Sequence, residues 1–458
     1  MTLISEAMLL VDHPKEPMTL RVQFRLSALP ADHPLWDPVR CRAATLRILA
    51  RHPELLRTFH LARDGLRVSV TSPHQHESLA AALWDYPPQD TEWSPDVSKP
   101  PLLRFQLTPA DGICIVAHHA LLDGRSALAL IHELLAEIVG SPELPPTGAQ
   151  YAGPQLRDLL RPRVLAELTR SVYAAWRQPP LLLGEEQHLF GTRHMYLDAS
   201  LPKQALTAIH RGARARVADC MLNDVLLAAL HLALDDLAQA KRQTQRAFGG
   251  LERISVMVPM DLRRRAGVTE LTNLSASVCV DSSPVDRADS TRLLIRVHDR
   301  MAHVKRYHLE HASILRLACL RWFGVLRRAR RIKVESGLPR RASEGAARFW
   351  KRVSTALFTN MGNVRFSRDI APLLRTIEGC APVLPPMGVA LSSAVLAESL
   401  FLYLRASDAT LSPDEARFLM DRWASRLLEF RADGLSSGGS GMPSPTQRRS
   451  TPSPALVA

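Results

Sequence analysis

At 458 residues, with 46% hydrophobic and 22% charged side chains, the chain is too long for one ordinary core and apolar enough to build two. Its net charge of +13 is unevenly placed: residues 296–352 hold 16 lysines and arginines against 4 acidic residues, which excludes the reading of a uniformly basic protein. Six scattered cysteines (41, 114, 220, 279, 319 and 380) form no C-x-x-C pair and suit a reducing cytoplasm, most of them as small buried apolar side chains.

In chain order, Ser5-Glu-Ala-Met8 opens the sequence, and Leu20 to Leu26 alternates as a strand. An amphipathic helix is predicted from Asp37 to about Leu56, with Pro53 near its end. Pro101 to Leu107 reads as a strand that turns through Asp111-Gly112 into a second strand, Ile113 to Ala117. Immediately after that apolar run come His118 and His119, then Asp123 and Gly124. From Ala127 the apolar positions Leu130, Ile131, Leu134, Leu135 and Ile138 are spaced for one face of a helix, which Gly140 and Pro142 end.

Residues 151–190 are rich in Pro and Arg, with one helix expected over Leu156 to Trp176, and read as a crossover between an N-terminal lobe (1–150) and a C-terminal lobe (191–434). The second lobe opens with a strand at Arg193 to Asp198 and a helix from Pro202 to about Arg214. A further helix follows Ala218 and carries Asn223 and Asp224 near its start. Ile254 to Arg263 and Thr272 to Val280 read as partner strands. Long basic helices are expected from about Asp289 to Arg352. Leu357 to Val364 is then a strand holding Asn360 and Gly362, with three more strands near 377–384, 388–395 and 399–406. A last helix starts at Ser412, its expected cap, with Pro413, Asp414 and Glu415 in the first turn. Residues 435–458, rich in Ser, Gly and Pro, are expected to be disordered.

The spacing His-His-x-x-x-Asp-Gly at 118–124 resembles the signature of the acyltransferase superfamily typified by chloramphenicol acetyltransferase. Condensation domains and the wax ester synthase/diacylglycerol acyltransferases belong to that superfamily. Shorter stretches add to the likeness: His52 to Phe59, Asn223-Asp224, Val258-Pro-Met-Asp-Leu-Arg263 and Asn360-Met-Gly362. The resemblance implies an α/β (α+β) fold of two lobes with a central interlobe channel. It implies that His119 is a general base, that His118 shapes the loop, that Gly124 allows a tight backbone turn, and that Asp123 is held by an ion pair, with Arg263 as its candidate partner. Asn223, Asp224, Asn360 and Gly362 become candidate substrate-binding residues, although an Asn or Asp at a helix start equally well caps free N–H groups.

The implied activity is transfer of an acyl group from a thioester, acyl-CoA or acyl carrier, to an alcohol or amine by a stand-alone O-acyltransferase, either wax ester/diacylglycerol-like or condensation-like. Neutral imidazole, with an ordinary pKa near 6.5, suits that task at pH 7. The opposing reading is a condensation-like binding protein without catalysis. No bound cofactor and no metal are expected: neighbouring strand residues point apart, H-E-x-x-H is absent, and His303, His308 and His311 lack a carboxylate pattern. Gly438-Gly-Ser-Gly441 has the wrong spacing for a nucleophile elbow.

For the basic segment 296–352 three readings stay open. They are a solvated helix face, an anionic membrane surface, and docking of an acidic carrier protein or the phosphates of coenzyme A. Nucleic acid is disfavoured because no binding motif accompanies the charge. No secretory signal is read at the start and no apolar run spans a bilayer, so a cytoplasmic protein, at most peripheral to a membrane, is expected.

Overall fold

The computed structural model describes residues 2–13, 17–62, 65–84, 93–108, 112–141, 153–184, 191, 193–244, 253–263, 271–323, 325, 354–384 and 387–431. Most of the basic segment, and the tail with its glycine run, therefore lie outside the described residues.

The chain opens with a helix, α1 (Thr2–Val11), and continues through β1 (Thr19–Leu26), α2 (Pro38–Arg51), β2 (Arg57–Leu61), β3 (Leu66–Val70) and α3 (His76–Ala82). The predicted hairpin follows as β4 (Leu103–Thr108) and β5 (Gly112–His118), and then α4 (Gly124–Val139). Every residue of β5 is buried: the strand is central, between β1 and β4, and its two faces are both covered, Ile113, Ile115 and Ala117 by the first-lobe core and Cys114 and Val116 by Trp93. That double burial explains its unbroken apolar run. At the turn into β5, Gly112 has φ +80°, and an added Cβ would collide with the Phe24 carbonyl oxygen, so only glycine closes this hairpin. Asp37 caps α2 and Asp123 caps α4. The left-handed Gly140 (φ 76°) ends α4 as the sequence pattern requires.

The crossover holds two helices rather than the one expected, α5 (Leu156–Leu159) and α6 (Pro162–Arg177). Pro162 suits the first position of a new helix and not the middle of a continuous one. The second lobe contains β6 (His194–Leu201), α7 (Lys203–Arg216), α8 (Leu222–Thr244), β7 (Ile254–Asp261), β8 (Ser275–Ser282), α9 (Pro284–Arg287), α10 (Ser290–Tyr307) and α11 (His311–Trp322). The described chain ends with β9 (Ala356–Asn363), β10 (Leu374–Cys380), β11 (Val389–Leu396), β12 (Ser399–Ser407) and α12 (Pro413–Leu428), the last opened by a Ser412/Glu415 capping box.

Two main sheets result. One has the order β6-β12-β11-β9-β7-β8, in which β9 runs parallel to both neighbours, and α8, α10 and α12 cover it around the buried Trp423. The other has the order β10-β1-β5-β4, so β10, expected with the second lobe, hydrogen-bonds into the first. The apolar core of the first lobe accordingly includes Ile377 and Leu374 from β10 and Met361 from β9.

Substituting Gly112→Ala forces a left-handed β-carbon against backbone. It is expected to lower stability by more than about 2 kcal/mol, read as a fall in the urea midpoint at unchanged slope.

Candidate active site

Strand β5 delivers the histidine pair to the edge of the first sheet. His118, its last residue, is fully buried, and its Nδ1 accepts from the Ala120 N–H at 3.1 Å. That fixes the proton on Nε2, which faces the Asp12 carboxylate at 3.5 Å. The His118 ring thereby ties the loop to the segment that follows α1. Next along the chain, His119 steps beyond the sheet, its N–H donating to the Met18 carbonyl at 2.7 Å.

The His119 ring has a defined tautomer. Its Nδ1 lies 2.9 Å from the Leu122 carbonyl oxygen, which can only accept, so Nδ1 carries the proton and Nε2 keeps its lone pair. The Asn273 amide lies 3.3 Å from the same Nδ1, but two donors cannot pair. It donates instead to the His119 carbonyl oxygen at 2.6 Å. Burial holds the imidazole pKa below its ordinary value; the Asp123 carboxylate and the Leu122 carbonyl pull the other way without prevailing. The ring is therefore neutral at pH 7.

His119 lines a cavity between the lobes. Its walls are Ile4, Ala7, Met8 and Val11 of α1, Met18, Met257 and Pro259 of β7, Ser275 to Ser277 of β8, Leu357 of β9, Pro382, Leu384, and Ser313, Ile314, Arg316 and Leu317 of α11. The walls are mostly apolar, with Arg316 as the cation and Ser277 and Ser313 as hydroxyls. Strand alternation puts Ser275 and Ser277 on the cavity face of β8, while Val278 and Val280 face the core.

Asp123 joins the lobes. Its Oδ1 accepts from the Ser126 N–H at 2.9 Å, capping α4, and its Oδ2 accepts from the Leu274 N–H at 2.8 Å and from Arg263 Nη1 at 2.8 Å. Arg263 also donates to Asp261 Oδ1 (3.1 Å), to Ser126 Oγ (2.7 Å) and to the Thr272 carbonyl. The Ser126 hydroxyl donates to that carbonyl and accepts from the Thr272 N–H at 3.0 Å, which uses its full bonding capacity.

The remaining candidates sit elsewhere. Gly124 opens α4 without a left-handed φ, and a Cβ there would meet nothing within 4 Å; the tight turn falls earlier, where the Leu121 N–H donates to the His118 carbonyl at 2.9 Å, and does not require this glycine. Asn360 does not line the cavity: it donates to Asn223 Oδ1 at 3.3 Å, joining β9 to α8, because alternation turns it away from the face that carries Leu357. Gly362 (φ +75°) sits where the β9–β11 register slips, and its N–H donates to Asn360 Oδ1 at 2.8 Å; this is a β-bulge and not a cavity wall. Asp224, 1% exposed, accepts from the Met221 N–H at 3.1 Å and faces His298 Nδ1 at 2.9 Å, so it caps and anchors α8. Among the described residues, no group of three His, Cys, Asp or Glu could hold a metal ion, and no helix is long and apolar enough to cross a membrane.

Sequence reading missed Asn273, Arg316 and α1. Asn273 and Arg316 carry no local signal, since a strand-flanking Asn and a helical Arg are ordinary surface residues in a sequence. Helix α1 did leave one: Ile4, Ala7, Met8 and Val11 have helical spacing.

No family model and no curated protein matches the chain. Solved structures do. Trichothecene 15-O-acetyltransferase TRI3 from Fusarium sporotrichioides superposes with a TM-score of 0.67 at 13% identity, over 93% of this chain and 95% of that one. The condensation domain for chain release from the enacyloxin polyketide synthase gives 0.58 at 18% identity, over 94% and 81%. The starter condensation domain of rhizomide synthetase, solved with C8-CoA and Leu-SNAC, gives 0.58 at 13% identity, over 93% and 92%. The fold is thus the two-lobed α/β fold of condensation domains and chloramphenicol acetyltransferase-like acyltransferases. At these identities the likeness extends to the fold alone.

Breaking the buried pair by Arg263→Met leaves Asp123 without its counter-charge and is expected to cost about 3 kcal/mol or more in urea unfolding. Gly124→Ala, by contrast, should leave the midpoint within about 0.5 kcal/mol of the parent, since the helix start accepts a β-carbon without strain.

Proposed function

We propose that this chain is an acyltransferase that moves an acyl group from a thioester, on coenzyme A or a carrier protein, to an alcohol or amine, with His119 as general base. The observation that carries the reading is the neutral imidazole whose Nδ1–H is committed to Leu122, leaving Nε2 unprotonated beside an apolar interlobe cavity. The condensation-domain and acetyltransferase neighbours support acyl transfer as the chemistry such a fold performs. The apolar lining favours an alcohol acceptor with a hydrocarbon body. A wax ester or diacylglycerol-type product has sequence resemblance alone behind it.

In the proposed reaction the acceptor O–H gives its proton to His119 Nε2 as its oxygen attacks the thioester carbonyl. The charge that develops on that carbonyl oxygen falls to donors in the wall, for which Ser277 and Arg316 are the side chains at hand. Collapse breaks the C–S bond, and the departing thiolate takes the proton back from the imidazolium, giving ester and free thiol. No protein nucleophile is needed. Asp123 and Arg263 position the loop without touching the reacting atoms.

With acyl-CoA donors of several chain lengths, a panel of alcohols and amines, and free thiol as readout, wild type should turn over and His119→Ala should lose about 10²–10⁴-fold in kcat/KM with its melting curve unchanged. No turnover with any donor would leave the binding-protein reading. Because the neutral ring is the active form and burial lowers its pKa, kcat/KM should fall with acid along a limb centred below the ordinary imidazole value of about 6.5. A limb above that value would exclude His119 as the base.

A further inference from the structure

A helix with a strong apolar stripe normally turns it to the core. Helix α6 does so with only part of its apolar surface: Val164 packs on Ala312 and Leu315 of α11, and Glu167 is held by Arg170 and by Arg300 of α10. A second stripe at i, i+7, i+8 and i+11, made by Leu165, Val172, Tyr173 and Trp176, is 40%, 43%, 62% and 72% exposed. Its packing partner α11 leads into another pair of open aromatics, Trp322 and Phe323, 89% and 80% exposed. One helix pair thus presents six large apolar side chains to solvent, where single scattered ones are the rule.

The charge around them has one sign. Among the described residues 156–177, every exposed side chain that is charged at pH 7 is an arginine: Arg157, Arg161, Arg163, Arg170 and Arg177, of which Arg170 is paired with Glu167 and Asp281. Glu167 is buried, and Asp158 is partly covered and paired with Arg161. Beyond Phe323 the sequence continues through Arg327, Arg328, Arg330, Arg331 and Lys333.

We propose that the outer face of α6 and the C-terminal end of α11 dock the protein on an anionic lipid bilayer. Trp176, Tyr173, Trp322 and Phe323 sit at the headgroup boundary, and Arg157 and Arg177 meet lipid phosphates and carboxylates. A bilayer fits better than a folded partner because the exposed stripe carries tryptophan and tyrosine beside arginine charge of one sign, the pattern that anionic headgroups complement. Trp and Tyr are also the side chains that favour the membrane–water boundary, and an apolar stripe edged by arginine is the composition of helices lying in it. The docking face moreover shares α11 with the His119 cavity, whose wall includes Ile314 and Leu317. A lipophilic acceptor could then pass from bilayer to cavity; that consequence rests on the acyltransferase reading, whereas the docking does not.

The test is sedimentation of the full chain with phosphatidylcholine vesicles, with and without phosphatidylserine, at low and high salt. Binding to the anionic vesicles is expected to exceed binding to neutral ones by about tenfold or more and to weaken with salt. Trp176→Ser with Trp322→Ser should reduce it about tenfold at an unchanged melting temperature, and Arg157→Gln with Arg177→Gln should remove the preference for anionic lipid. Failure to bind either vesicle, or binding undiminished in both variants, overturns the proposal. So does a lipid-free dimer that shields Trp176, or an acidic carrier protein that binds where vesicles do not. None of these readouts needs turnover, so the docking can fail while the acyltransferase reading stands.

Discussion

The carboxylate of Asp123 accepts from three groups at once, the Ser126 N–H of its own helix and the Leu274 N–H and Arg263 guanidinium of the opposite lobe. Removing it would loosen a helix cap, a strand entry and an interlobe ion pair in one step. A buried pair of this kind is poor evidence of net stability, since apolar side chains of the same volume can hold two surfaces together as well. What apolar packing lacks is direction. Three hydrogen bonds to one carboxylate set the register of one lobe on the other, and with it the position of Leu122 and Asn273, which bond the ring and the backbone carbonyl of His119.

The cavity and the imidazole depend on each other. An apolar wall penalises the charged ring, which keeps Nε2 free to take a proton near neutral pH. That same wall limits the access of water to the ring. The first helix is central to this enclosure: Ile4 packs with Ile314 and Leu274, and the Ser5 hydroxyl bonds the Ala120 carbonyl at 3.0 Å, so α1 closes over the histidine loop from outside both sheets. On the far side of α11, the ion pairs of Glu167 and Asp281 with Arg170, Arg300 and Arg253 hold the crossover helix in place.

Much of the candidate site was legible locally. The hairpin β4–β5 follows from two alternating apolar runs around a glycine turn, and α4 follows from one apolar face between an Asp cap and a Gly stop. Both signals concern neighbours in sequence. Reading stopped where the partner lay far along the chain. Nothing near Leu374 announces that it pairs with Leu26, and nothing near Asn273 announces a bond to residue 119. Asn360 shows the converse error. A short motif attracts a substrate-binding role, yet strand alternation turned the side chain to a helix, where one amide bonds another.

The amino-acid sequence by itself determined the elements around the histidine pair, the paired imidazoles at the end of a buried strand, and the charge imbalance toward the C-terminal lobe. Period, caps and turn glycines encode these, and each acts within a few residues. Only the tertiary structure decided which imidazole faces a cavity, which tautomer it holds, that β10 crosses into the first sheet, and that α6 leaves a second apolar stripe largely exposed. Those outcomes depend on directional bonds and burial between segments hundreds of residues apart, which no local pattern records.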